Sequence, residues 1–130
     1  MPLPITLTIA GAAVLINLWL QLRCGQARGA AKVMVGDGGD PLLIARMRAQ
    51  ANFIENAPFF LILLGLVEFA RGPQTWLWFV GILFLIGRLL HPFGMERPAP
   101  NPYRMAGIAL STVMLVGLAI YALTIPYMAR

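Results

Sequence analysis

Arg48, Asn52, Glu55 and Asn56 follow one another at i, i+4, i+7 and i+8. If the segment is helical, that spacing gathers the four side chains on one face. Directly after them, Ala57 to Val67 carries no polar side chain. An acid beside such a run costs free energy unless it faces protein or water. Glu55 is therefore expected to point into a polar cavity. A purely structural network, with Glu55 paired to an arginine of a neighbouring helix, would meet the same requirement.

Arg88 and His91 stand at i, i+3, and Arg104 follows the proline-rich stretch Pro98-Ala99-Pro100-Asn101-Pro102. With the earlier cluster they outline a basic, partly buried pocket holding one acid. Such a pocket suits a small polyanion that also carries an ammonium group. Guanidinium groups take carboxylates through paired hydrogen bonds, and Glu55 takes the amine. Each residue also has a plainer reading. Arg88 can snorkel to the interface, His91 can close a helix end, and Arg104 can anchor a span.

Other chemistries lack their residues. One histidine and one cysteine cannot build a zinc site, so no metal is expected. Phosphate-loop and dinucleotide glycine motifs are missing. Ser111 has no base beside it and forms a small-xxx-small pair with Gly107, which suits helix packing. Cys24 is the single cysteine, so no internal disulfide can form.

The chain that positions this pocket has 130 residues, 59% of them hydrophobic and 12% charged. Its mean hydropathy is +0.77. A soluble domain is about a quarter charged, and a globule of this composition could not cover its surface with polar groups. An ordinary soluble enzyme, a disordered chain and a secreted disulfide scaffold are excluded, which leaves an integral membrane protein. The net charge of +5 does not point to nucleic acid, because the basic residues flank apolar spans.

The pattern predicts an all-α membrane protein, a single domain over 1–130, with helices over 3–31, 42–70, 73–91 and 103–129. The first span reads as a retained helix, since Leu20-Gln21-Leu22-Arg23-Cys24 lacks the small residues of a cleavage site. Val35-Gly36-Asp37-Gly38-Gly39-Asp40-Pro41 is turn chemistry. Pro41 suits a first helical turn with Asp40 as its cap. Pro58 is expected to kink helix 2. His91-Pro92-Phe93-Gly94 is expected to end helix 3. Trp76 and Trp78 are placed in an interfacial belt. Arg23, Arg28, Lys32, Arg46, Arg48, Arg88, Arg97 and Arg104 fall on one side and Arg71 and Arg130 on the other, eight against two. Both longer loops are thus expected in the cytoplasm and both termini outside.

Arg48-Ala49-Gln50-Ala51-Asn52-Phe53-Ile54-Glu55-Asn56-Ala57-Pro58 resembles the MAPEG family, the membrane-associated proteins in eicosanoid and glutathione metabolism. The family pattern R-x-Q-x-N-x-x-E-x-x-P matches at all five fixed positions. Gly36-Asp37-Gly38-Gly39 and Gly87-Arg88-Leu89-Leu90-His91 look like the small bacterial branch. The resemblance implies a homotrimer of four-helix subunits in a bacterial inner membrane. It implies glutathione as co-substrate, bound between subunits near the cytoplasmic face. Arg48, Asn52 and Glu55 would hold it from one subunit. Gln50 would reach in from the neighbour, with Arg23 or Arg28, and Arg88 would line the same site. Arg104 matches the arginine that stabilises the thiolate in catalytic members, with Arg23 and Arg28 as alternatives.

A free thiol has a pKa of about 8.5, and a nearby arginine favours the thiolate. The activated sulfur would attack a lipophilic electrophile or reduce a lipid hydroperoxide at the protein–lipid boundary. The sequence departs from the catalytic pattern at Asn56, His91 and Met95, where many members carry tyrosines. His91 can still hydrogen-bond or stack, whereas Met95 cannot donate. A glutathione transferase or peroxidase is the leading expectation. A non-catalytic lipid-binding protein of the same fold is the alternative. A small multidrug transporter is a remote one, since those carry their essential glutamate in helix 1, where Asn17 is the strongly polar interior residue beside Gln21.

Overall fold

The computed structural model describes residues 2–128. Four helices follow in order: α1 Pro4–Ala31, α2 Pro41–Arg71, α3 Thr75–Met95 and α4 Pro102–Thr124, closed by one 3-10 turn, Ile125–Tyr127. No strand occurs among the described residues. The expected end of helix 4 at Ala129, and Arg130 of the charge balance, lie outside those residues. Each helix is long and apolar enough to cross a membrane. The short connections force antiparallel neighbours, and α3 packs along α4 while α1 packs along α2.

The local signals explain most boundaries. The Asp40 side chain accepts from Leu43 N at 2.9 Å and caps α2, with Pro41 in its first turn. Asn101 does the same for α4, accepting from Arg104 N at 2.9 Å. Helix α1 runs on past the apolar stretch to Ala31.

Two expected helix ends are corrected. Helix α3 continues through Pro92 to Met95 rather than stopping near 91. A proline removes one N–H and kinks a helix, but it does not end one whose last turn is held by tertiary contacts. Here the Asn101 side chain donates to Gly94 O at 2.7 Å. Gly94 has no side chain where the backbone of Arg104 passes, so the start of α4 locks the last turn of α3. Helix α4 stops at Thr124, short of 129, because Pro126 opens the 3-10 turn instead.

The core lies between α1, α2 and α3. Phe60 and Phe84 stack with ring centroids 3.9 Å apart and planes 2° apart. Ile5, Leu64 and Leu77 are fully buried in the same cluster. Gly81 makes room for Ile9 of α1. Between α3 and α4 the helices touch through Gly87, Gly107 and Ser111: a Cβ on Gly107 would stand 2.7 Å from Gly87 O. Trp76 sits half-buried in a T-shaped contact with Tyr121, centroids 5.0 Å apart.

Candidate functional site

The four polar residues of α2 divide between two environments. Arg48 and Glu55 are exposed on the outward face, while Ala49, Phe53, Ala57 and Phe60 are buried on the opposite one. Asn52 is turned by about 60° from Glu55 at 100° per residue. It is half-buried and meets α3. Asn56 donates to Asn52 O of its own helix at 2.7 Å. Within the single chain the Glu55 side chain faces outward and lines none of the described pockets. Glu55 has no arginine partner among the described residues. Among the described residues the ion pairs join Arg23 and Arg46 to Glu96.

Arg88 is 2% exposed and reaches across three helices. Its guanidinium donates to Asn52 Oδ1 of α2 at 2.5 Å and to Ser111 Oγ of α4 at 3.3 Å. Ser111 in turn donates to Gly107 O at 2.7 Å. Arg88 Nε has no partner, and neither has Nδ1 of the equally buried His91. Arg88 is thus a buried cation whose acceptors are both neutral. It does not snorkel out, and His91 does not close a helix end, since α3 continues past it.

The three arginines named for thiolate stabilisation differ in what already holds them. Arg23 pairs with Glu96 and lies against the rings of Trp19 and Phe93. Arg28 donates to Gly36 O at 2.6 Å and to Val33 O at 3.4 Å, which ties down the loop between α1 and α2. Arg104 is half-buried. Its backbone N–H is capped by Asn101, while its guanidinium has no hydrogen-bond partner among the described residues.

Gln50 points toward α1. The Cys24 thiol donates to Gln50 Oε1, and Gln50 Nε2 donates to Asn17 Oδ1, each at 3.5 Å. Beside this line lies a polar recess of about 660 Å³ lined by Gln21, Cys24, Gln26, Arg28 and Gln50. Above it, between α1 and α2, an apolar groove of about 170 Å³ is lined by Ala13, Asn17, Phe53, Ala57, Pro58 and Leu61. Met95 is half-buried at the end of α3.

Sequence reasoning missed Glu68 and Glu96. Glu68 is 2% exposed and accepts from Ile5 N at 2.9 Å. The signal was available as an acid inside Leu66-Val67-Glu68-Phe69-Ala70. Glu96 offered no signal, since a lone acid beside prolines reads as a solvated loop residue.

A family model for the MAPEG family matches residues 6–124. The inner membrane protein YecN of Escherichia coli strain K12 is 36% identical over 66 residues, 50% of this chain and 50% of that one. YecN of Escherichia coli O6:H1 gives the same figures, 36% over 66 residues. The chain thus spans about half the length of the curated relatives it matches. Four apolar helices and these matches make it an integral membrane protein.

Proposed function

The chain belongs to the MAPEG family, and on that premise we propose that it is a membrane glutathione-dependent transferase or peroxidase acting on lipophilic electrophiles. The observation that carries the reading is the unpaired charge on the outward face of α2. Arg48 and Glu55 stand seven residues apart, both exposed, and neither has an ion-pair partner among the described residues. Glu55 lies about 13 Å deeper than Arg46, at 1.5 Å per residue. A carboxylate at that depth cannot face acyl chains without cost. A second copy of the chain, together with a bound zwitterion, satisfies it.

The same face supports the assembly. Glu55, Ile62 and Phe69 recur every seven residues, with Phe59 and Leu66 between them, and all are exposed. That repeat is a seam made for other helices. We read it as the contact of a homotrimer, with glutathione bound between subunits near the face that carries most of the arginines. That face is the cytoplasmic one under the positive-inside rule.

In this reading Arg48 takes a carboxylate and Glu55 takes the amine. Asn52 is oriented by Arg88, so Arg88 is a positioning residue for it. Arg104 is the arginine proposed to stabilise a thiolate, because its guanidinium has no partner among the described residues, whereas Arg23 pairs with Glu96 and Arg28 donates to loop carbonyls. The co-substrate supplies the sulfur nucleophile. The chain holds its charged ends, lowers the cost of its ionised form and borders it with apolar walls open to the bilayer. Stopped-flow titration of the purified protein with glutathione tests this. The thiolate absorbance is expected to rise at neutral pH, and a flat trace would overturn the catalytic reading.

A non-catalytic lipid-binding role is the second reading. Asn56 and Met95 favour it, because they stand where many catalytic relatives carry tyrosines.

A further inference from the structure

A second cationic site lies away from the exposed face of α2. Glu96 follows the last turn of α3, and two arginines from two other helices converge on it. Arg23 of α1 and Arg46 of α2 both donate to the same oxygen, Oε1, Arg46 Nε at 2.7 Å. Arg46 Nη1 also donates to the backbone carbonyl of Arg23 at 2.8 Å, which ties the Arg46 guanidinium to α1. Oε2 of Glu96 has no partner among the described residues. The three side chains are 13%, 17% and 23% exposed for Arg23, Arg46 and Glu96. Two cations and one anion leave the cluster at a net charge of one positive, with donors on both guanidinium groups still free.

Its level in the bilayer follows from α3. That helix has 21 residues, about 31 Å at 1.5 Å per residue, which matches a hydrocarbon core of roughly 30 Å. The end of α3 therefore lies at the headgroup boundary, and Glu96 with it. On the acyl side, Trp19 and Phe93 form a tilted pair with centroids 5.6 Å apart. The Arg23 guanidinium stands 4.8 Å and 5.1 Å from those two rings. Phe93 is exposed. An under-neutralised basic cluster between helices, beside an interfacial aromatic pair, has the chemistry of a lipid headgroup site.

We propose that Arg23 and Arg46 bind the phosphate monoanion of an anionic phospholipid headgroup, with Glu96 as a built-in counter-charge that fills half the site. Ligand phosphate and Glu96 compete for the same donors, so Glu96 sets the affinity. The site uses none of Arg48, Glu55 and Arg104, so it stands whether or not the protein handles thiols.

The test is native mass spectrometry of the full chain released from nanodiscs of equal phosphatidylglycerol and phosphatidylcholine. Wild type is expected to retain phosphatidylglycerol preferentially. Arg46→Ala should weaken that retention about five-fold, the worth of one arginine near a lipid surface. Glu96→Gln should strengthen it by about the same factor. Arg71→Ala, at the other end of α2, should leave it unchanged. A merely structural ion pair predicts the opposite sign for Glu96→Gln, since a loosened bundle would lose both lipids. Equal retention of the two lipids by wild type, or a loss in Glu96→Gln, overturns the proposal. If the variants fail to fold, the lipid choice of wild type and its weakening at high salt decide. Inorganic phosphate, added to phosphatidylcholine-only nanodiscs, should not raise the thermal midpoint. A rise equal to that given by phosphatidylglycerol would assign the site to free anions and end the lipid proposal.

Discussion

Glu68 and Thr6 lie 62 positions apart in the chain and meet through two hydrogen bonds to one oxygen. The Thr6 N–H and hydroxyl both donate to Glu68 Oε2, at 2.8 Å and 2.7 Å. Ile5 N donates to the other oxygen at 2.9 Å. Helix α1 has no side-chain cap of its own, since Leu3 precedes it in a left-handed conformation. Its first amides would be unsatisfied in an apolar surrounding. Glu68 supplies the missing cap from α2, and a negative charge at a helix N-terminus is also favourable to the dipole.

Glu68→Ala should therefore destabilise the bundle by about 1.5–3 kcal/mol, the range for hydrogen bonds to a charged group. Glu68→Gln should cost less, because its carbonyl oxygen can still accept one of the donors. Thermal unfolding in detergent micelles reads both. An unchanged midpoint in Glu68→Ala would show that water caps α1 equally well.

Local chemistry reveals the helices more readily than their ends. The uncharged runs of α1 and α4 are legible as spans from composition, and Asp40-Pro41 marks the start of α2. Pro92 misleads because its effect depends on what holds the following turn. That turn is held by Asn101 and by the backbone near Arg104, neither of which is local to it.

Gly107 tests how tightly α3 and α4 are joined. A methyl group there would stand 2.8 Å from both Cβ and N of His91. Gly107→Ala should force the pair apart and cost about 1–3 kcal/mol, as overpacking does. It should also disturb Ser111, whose hydroxyl is bonded to Gly107 O, and through it the seat of Arg88. Gly117→Ala, with nothing within 4 Å of the added methyl, is the control and should not lower the midpoint, since alanine favours the helix over glycine.

The candidate site is legible by residue type and not by direction. The spacing of Arg48, Asn52, Glu55 and Asn56 is visible in one dimension, yet which of them face out depends on where α3 lies. Arg88 selects Asn52 and leaves Glu55 outside. Glu96 shows the same limit, because its partners Arg23 and Arg46 are 73 and 50 positions away.

Arg104→Ala should abolish the thiolate absorbance that glutathione is expected to produce at neutral pH. Arg23→Ala and Arg28→Ala should retain it, because Arg23 pairs with Glu96 and Arg28 holds the loop carbonyls of Val33 and Gly36. Rapid-mixing spectra of the three variants separate the roles. Retention in Arg104→Ala with loss in Arg28→Ala would move the function to the loop arginine.

Glu55→Gln separates ligand binding from assembly. The change keeps size and hydrogen bonding but removes the charge that would hold an ammonium group. Glutathione affinity by calorimetry should fall about 10- to 100-fold, the equivalent of a charge-assisted hydrogen bond. The particle mass in detergent should remain that of the proposed trimer, because the apolar seam of Phe59, Ile62, Leu66 and Phe69 is untouched. If the variant instead falls to single chains while wild type is trimeric, Glu55 is an interface group and its partner belongs to a neighbouring subunit. If affinity and mass both stay as in wild type, the exposed acid serves neither purpose and the proposed glutathione site loses its anchor.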